Sequence, residues 1–110
     1  MKVIILFLIV INFTYAQPTD LNKICSVKPE DNRCNEWALK QMLKKDCSVV
    51  EKYMPKACEL GNPSSCHLVG ICYTGSNKKD SGQYRRGVEL LTKCCKVSHK
   101  GCCQTLKDLK

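Results

Sequence analysis

The sequence predicts an all-α fold, a short α/α solenoid of helix pairs stapled by disulfides. Ten cysteines occur among 110 residues, a content typical of small secreted scaffolds that disulfides hold together. Apolar residues recur at three- and four-residue intervals in several segments, which is the spacing of one face of a helix. Part of the chain also repeats itself at an offset of 37 residues, and periods of about 20 to 50 residues indicate stacked repeats.

The first 16 residues are predicted to be a secretory signal peptide. Lys2 precedes an apolar run over residues 3–11, and Thr14-Tyr15-Ala16 ends in a small residue that suits a cleavage site. This is the layout of an export signal. The run is shorter than the roughly 20 residues that a membrane-spanning helix needs, and we predict no transmembrane segment. Residues 17–24 are predicted to be a flexible lead and residues 25–110 one cysteine-rich helical domain. The predicted location is secreted, either extracellular or periplasmic.

The periodicity predicts a run of helices with short connections and no strand. The first covers residues 35–45 with Asn35 as its cap, and the second covers residues 48–60 with Pro55 expected to bend it. A third helix runs from a Ser64 or Ser65 cap to residue 73, and a polar loop follows over residues 74–82. A fourth covers residues 83–96, and a short last helix carries Cys103, Leu106 and Leu109.

The repeat carries a resemblance to a known family. The 37-residue offset aligns Lys56-Ala57-Cys58 with Lys93-Cys94-Cys95, Cys66 with Cys103 and Val69 with Leu106. The stretch from Lys56 to Asn62, followed by Ser65-Cys66, Val69-Gly70, Tyr73 and Gly75, resembles the Sel-1-like repeat. More specifically, it is similar to the disulfide-bridged form of this repeat in the secreted Helicobacter cysteine-rich protein family. The resemblance covers about residues 25–109 and implies TPR-like helix pairs.

The resemblance also implies part of the disulfide pattern. In that family a cysteine that ends one helix pair bonds a cysteine eight positions on, which implies Cys58–Cys66, Cys95–Cys103 and, with one residue more, Cys25–Cys34. Cys47 starts the second predicted helix and Cys72 ends the third. These ends meet if the two helices are antiparallel neighbours, so Cys47–Cys72 is our hypothesis. Cys94 with Cys102 then remains, and the swapped pairs Cys94–Cys103 and Cys95–Cys102 stay open.

Metal and redox chemistry are not predicted from this cysteine pattern. The sequence contains no Cys-x-x-Cys, the spacing that zinc sites and thioredoxin-like enzymes use, and we predict neither a metal site nor a cofactor. The formal net charge of +8 favours acidic partners. Because the lysines are spread along the chain without a run of five like charges, a solvated surface is the favoured interpretation. Specific nucleic-acid binding is not predicted.

The favoured functional prediction is a binding module for another protein, a ligand or an anionic surface. Stacked helix pairs present a concave face that is lined mainly by the first helix of each pair. The predicted contact residues on these helices are Trp37, Lys40, Gln41, Lys44, His67, Ile71 and Tyr73. Trp37 is the strongest candidate, since tryptophan is enriched among the interface residues that contribute most of the binding energy.

Two other functions remain as alternatives. The resemblance implies penicillin binding and weak β-lactamase activity. Ser76-Asn77-Lys78-Lys79 fits Ser-x-x-Lys, but the match lies in a polar loop and its companions Ser-Asp-Asn and Lys-Thr-Gly do not occur. We therefore predict no catalytic residue and favour a protein without enzyme activity. The second alternative, a cationic effector or host-defence peptide, would require a helix with a wide apolar face opposed to a lysine face, and the sequence shows none.

Overall fold

The computed structural model describes residues 20–109, in which helices joined by short connections are the only regular secondary structure. Six helices follow one another: α1 Leu21–Val27, α2 Asn32–Leu43, α3 Ser48–Glu59, α4 Pro63–Gly75, α5 Gly82–Lys96 and α6 Lys100–Asp108. The described residues form no strand, and the predicted all-α fold is confirmed. The predicted signal peptide, residues 1–16, lies outside the described residues.

Each helix packs on the next one in the sequence, and α4 also contacts α2 and α6. The order of the disulfides shows that α3 and α4 are antiparallel. Cys58 near the end of α3 bonds Cys66 near the start of α4, and Cys47 at the cap of α3 bonds Cys72 near the end of α4. Neighbouring helices of the chain therefore pack on one another, which is compatible with the predicted helix pairs.

All ten cysteines form disulfides, as the sequence predicted. The pairs are Cys25–Cys34, Cys47–Cys72, Cys58–Cys66, Cys94–Cys102 and Cys95–Cys103. The structure therefore contains the direct pairing of the last four cysteines and not the swapped one. Seven of the buried core residues are cysteines, the others being Ala38, Val50, Tyr53, Met54, Ala57, Leu68, Val69, Leu90 and Leu91. The sulfur bridges thus form part of the core of the domain.

The predicted flexible lead covered residues 17–24; its residues 20–24 belong to the cap and first turns of helix α1, and residues 17–19 lie outside the described residues. Asp20 caps this helix by accepting a hydrogen bond from the Lys23 N–H at 3.2 Å. The Tyr53 hydroxyl of α3 donates to Asn22 Oδ1 at 2.9 Å, and Cys25 is bridged to Cys34. The segment lacks apolar periodicity, so tertiary contacts rather than local pattern make it a helix.

The Tyr53 hydroxyl provides a test of how α1 is held. We expect Tyr53→Phe to lower the free energy of unfolding by about 1 kcal/mol, the net contribution of one hydrogen bond. Amide hydrogen exchange within α1 should accelerate more than exchange elsewhere. Tyr84→Phe is the matched control, because the Tyr84 side chain makes no hydrogen bond to the described residues. Equal effects of the two substitutions would contradict this account of α1.

Helix starts differ from the predicted ones because side chains further upstream cap them. Asp31 rather than Asn35 caps α2, accepting from the Arg33 N–H at 2.9 Å. Asn62 rather than Ser64 or Ser65 caps α4, with Pro63 in the first turn, where its missing N–H is not needed. The α4 helix also continues through Gly75, so the predicted polar loop is shorter than 74–82.

Helix α3 continues from Ser48 to Glu59 with Pro55 inside it. Proline has no N–H to give to the carbonyl of Glu51, four residues earlier. Glu51 is exposed, so water can bond that carbonyl. The proline is therefore compatible with the predicted second helix.

Three helices end in the same left-handed turn. Lys45 after α2, Gly61 after α3 and Ser98 after α5 have φ of 64°, 97° and 68°. In each turn two backbone N–H groups bond carbonyls of the last helical turn, such as His99 N to Cys94 O at 3.1 Å, the arrangement of a Schellman motif. These turns let the chain reverse in few residues. They also bring Asn62 and His99 directly to the caps of α4 and α6.

Candidate functional site

The first helices of successive pairs, α2, α4 and α6, hold equivalent positions. Cys34, Cys66 and Cys103 occupy the same place in these helices, at offsets of 32 and 37 residues. By the same offsets Leu39 corresponds to Ile71, and Asn35 corresponds to His67. Because α2 contacts α4 and α4 contacts α6, equivalent positions are carried by neighbouring helices. We call Leu39, Leu43 and Ile71 the inner strip.

The inner strip is apolar and uncovered on α2. Leu39 retains 39% of its accessible surface and Leu43 73%, and Ile71 is half-buried. Leu39 and Leu43 are four residues apart and therefore share one face of their helix. Of these three residues, the sequence prediction of the binding surface contained only Ile71. Leu39 could have been found by transferring the position of Ile71 to α2 with the repeat offset, and Leu43 lies four residues further along the same helix face.

Trp37 and Lys40 lie away from the inner strip, in a cleft between α1 and α2. This cleft of about 260 Å³ is lined by Leu21, Arg33, Glu36, Trp37 and Lys40. The Trp37 ring is half-buried and lies against Tyr53, with a distance of 6.0 Å between ring centroids. Trp37 corresponds to the buried Val69 of α4, which explains why it points toward the neighbouring elements. Its exposed part faces α1.

The rim of this cleft carries a paired charge. Arg33 donates to the carboxylate of Asp31 through Nη2 at 2.9 Å and through Nε at 3.1 Å. These hydrogen bonds from Arg33, with the backbone N–H of Arg33 next, lower the pKa of Asp31 to about 2. The pair positions Asp31 as the cap of α2 and neutralises Arg33 at the cleft.

The remaining predicted contact residues do not form one surface. The Gln41 carbonyl accepts hydrogen bonds in the turn that ends α2, and Lys44 is the exposed C-cap of that helix. Tyr73 packs against α5, because a Cβ placed on Gly87 would lie 2.9 Å from the Tyr73 Cβ. Only His67 and Ile71 share a face of α4, since they are four residues apart. The structure therefore divides the predicted surface among separate places.

His67 belongs to a histidine pair between α4 and α6. Its ring lies 5.1 Å from the ring of His99, centroid to centroid, in an edge-to-face arrangement. His67 Nε2 is 2.9 Å from Thr105 Oγ1, and His99 Nδ1 accepts from the Cys102 N–H at 3.3 Å as the cap of α6. The sequence analysis did not identify His99 or Thr105. A clue was available, because the 37-residue offset places His99 over the cap residue Asn62.

Burial, followed by the charge of His99, lowers the pKa of His67 from its ordinary value of 6.5. The folded chain therefore binds fewer protons than the unfolded chain just below pH 6.5. We expect the stability to be constant above that pH and to fall as the pH decreases through it. Thermal unfolding in metal-free buffer between pH 7.5 and 5 measures this decrease. His67→Asn should flatten the profile, and an unchanged profile in that variant would contradict the assignment.

A second cleft lies where the α3–α4 turn meets the end of α5. It has a volume of about 270 Å³, and its lining residues are Cys58, Gly61, Pro63, Cys66, Lys93, Cys94 and Val97. Val97 is 65% exposed, and Leu60 beside Gly61 is 54% exposed. The cleft is an apolar depression with one cation, Lys93. Sequence analysis missed it because its walls come from segments about 30 residues apart that only the fold brings together.

The Ser-x-x-Lys match does not stand at the start of a buried helix. Ser76 is the C-cap of α4, and the Asn77 side chain donates to the Tyr73 carbonyl at 2.9 Å. Lys78 and Lys79 are exposed in the connection to α5. This position lacks the buried helix start that the catalytic motif requires.

Comparison of the chain with family models, curated proteins and solved structures found no match. Within residues 20–109, no helix combines the length and apolar character needed to cross a membrane.

Proposed function

We propose that this chain is an exported binding module whose partner is another protein. Five disulfides are the proposed adaptation to an oxidising compartment. The resemblance to the Sel-1-like repeat supports the same function. It also supports the proposal that the helix pairs stack as a short solenoid with the inner strip on its concave face.

The observation that carries the proposal is the inner strip. Isolated exposed apolar side chains are ordinary on protein surfaces. Here, however, Leu39 and Leu43 share one helix face, and Leu39 has an apolar counterpart in Ile71 of the next unit. The exposed lysines Lys44 and Lys45 directly follow Leu43 at the end of α2, and the described residues contain only three ion pairs. An apolar strip with a cationic surround fits a partner segment that combines aliphatic and acidic side chains.

Site-specific photocrosslinking tests this proposal. A benzoylphenylalanine at position 39 should capture one partner from the native extracellular fluid, and unlabelled wild-type protein should compete with the capture. The control is the same residue at position 27, because Val27 on α1 is 83% exposed and lies outside the strip. Leu39→Lys should weaken the binding of the captured partner at least tenfold. Equal capture at positions 27 and 39 would overturn the proposal.

The alternatives have direct tests. Hydrolysis of nitrocefin by the folded protein would support the β-lactamase-like function that the resemblance implies. Leakage of anionic liposomes would support a membrane-active effector. We expect neither, because the Ser-x-x-Lys lysine lies in an exposed connection and the cations are distributed over several helices.

A further inference from the structure

We propose that His67 and His99 form a binding site for one divalent transition-metal ion, for which Zn²⁺ is a suitable probe. The sequence prediction was that the chain has no metal site, because that prediction considered closely spaced cysteines. The proposed site uses imidazoles that are 32 residues apart in the chain. It is independent of the proposed binding function.

The two histidines of the chain are each other's neighbours. The chain contains two histidines in all, and their rings lie 5.1 Å apart, centroid to centroid, at the junction of α4 and α6. Ring nitrogens of His67 and His99 and the sulfur of Cys102 lie within 4.8 Å of one another. Cys102 is bonded to Cys94, so its sulfur is not a thiolate ligand and the imidazoles provide the donors.

The repeat itself does not require either histidine. His99 corresponds to Asn62, which caps α4 by accepting from the Ser64 N–H at 3.1 Å. Asparagine is among the most favourable cap residues, whereas histidine is not one of them. His67 corresponds to Asn35 in the preceding unit and to Gln104 in the following one. Imidazoles therefore occupy both positions only at this junction, where the two rings meet.

The surroundings leave lone pairs and space for an ion. When His67 Nε2 donates to Thr105 Oγ1, at 2.9 Å, the lone pair of Nδ1 is free. A metal-ligating histidine usually donates its other N–H to an oxygen in this way. Gly101 keeps the space beside both rings open, since a Cβ there would lie 2.9 Å from His67 Nδ1 and 3.1 Å from His99 Cε1.

Binding requires a small movement of His99. Zinc–imidazole bonds are about 2.0–2.1 Å long, so two nitrogens on one ion can be at most about 4.2 Å apart. His99 must also give up its cap bond, since its Nδ1 already accepts from the Cys102 N–H at 3.3 Å. If Nδ1 of His99 binds the ion, the ion takes the place of the Cys102 N–H. If Nε2 binds the ion, the ring proton moves from Nε2 to Nδ1, which can then no longer accept a hydrogen bond. Either way the bond to the Cys102 amide is lost, and two coordination positions remain for water.

Imidazole is a ligand of the borderline ions, so Cu²⁺ should bind more tightly than Zn²⁺. Ca²⁺ prefers oxygen ligands and should not bind at this site. These preferences distinguish the site from a cluster of surface carboxylates.

Calorimetry and NMR of the oxidised full domain test the proposal. We expect one Zn²⁺ per chain. The changes in chemical shift of the imidazole ¹⁵N nuclei of both histidines and of the Cys102 amide should reach their final values at one equivalent of Zn²⁺. His99→Asn is the matched variant, because asparagine retains a cap. His67→Asn introduces the residue that the preceding unit has at the equivalent position, Asn35. Each substitution should weaken Zn²⁺ binding at least tenfold, and Gly101→Ala should weaken it by filling the space between the rings.

Two results would overturn the proposal. One is that the ¹⁵N chemical shifts of the imidazoles in wild-type protein do not change at excess Zn²⁺, a measurement that does not depend on the folding of any variant. The other is undiminished Zn²⁺ binding by a folded His67→Asn/His99→Asn double variant. That result would place the ion elsewhere on the chain. Circular dichroism and thermal unfolding establish that each variant is folded.

Discussion

Removal of the Cys47–Cys72 disulfide should lower the free energy of unfolding by about 3 kcal/mol. This bridge spans 25 residues, the widest separation of the five. The Cys58–Cys66 bridge lies inside that loop and shortens it in the unfolded chain. The chain-entropy model then gives about 3 kcal/mol for the remaining loop. The change tested is Cys47→Ala/Cys72→Ala, since alanine leaves no hydroxyl at the buried position of Cys72.

The pair Cys95–Cys103 is the matched control. It spans eight residues, and Cys94–Cys102 closes almost the same loop. Its removal therefore frees little additional entropy in the unfolded chain. Cys95→Ala/Cys103→Ala should cost well below the about 2.5 kcal/mol that an isolated bridge of this span contributes. Denaturant unfolding without reductant measures both variants, and losses of equal size would refute the ranking.

The second large effect is expected at Gly70, where α4 and α5 approach closely. A Cβ on Gly70 would lie 2.4 Å from Leu91 Cγ and 2.5 Å from Leu91 Cδ2. Leu91 is fully buried, so its side chain cannot move into solvent. We expect Gly70→Ala to lower the free energy of unfolding by about 2 kcal/mol, within the range for overpacked cores. The loss should appear although alanine is the better helix former by about 1 kcal/mol.

A double-mutant cycle and a control substitution isolate the clash. Leu91→Ala alone should lower the free energy of unfolding by about 2–5 kcal/mol. The double variant Gly70→Ala/Leu91→Ala should lose less than the sum of the two single losses, because Leu91→Ala removes the side chain with which the added Cβ clashes. Gly75→Ala is the control, since nothing lies within 4 Å of its Cβ position. Chemical denaturation gives all four values. Strict additivity would show that the two positions do not touch.

The close approach of α4 and α5 has two glycines as its cause. Opposite Gly70, a Cβ on Gly87 would lie 2.9 Å from Thr74 Cγ2 and 3.2 Å from the Gly70 carbonyl oxygen. The resemblance drew attention to Gly70 through the Val69-Gly70 match. Gly87 was not identified, because a glycine within a helix pattern has no partner until the neighbouring helix is placed.

The histidine pair shows most clearly where sequence analysis reached its limit. His67 was predicted as a contact residue of the binding surface, and His99 was not among the predicted site residues. The left-handed turn at Ser98 brings His99 to the cap of α6, next to a helix from the preceding pair. Neither local pattern nor composition carries that information, because the distance between the rings depends on how α6 packs on α4.

From the sequence alone followed the helical class, the extent of most helices and the complete use of the cysteines in bridges. These properties depend on short-range periodicity, on capping and turn residues, and on the number of cysteines. The tertiary structure alone placed Trp37 and Lys40 in a cleft with α1, made α1 a helix through Tyr53, and joined His67 to His99. The physical reason is that a residue's environment at a helix junction is set by the packing of helices that are distant in the chain, and helical periodicity records only which face of its own helix a residue occupies.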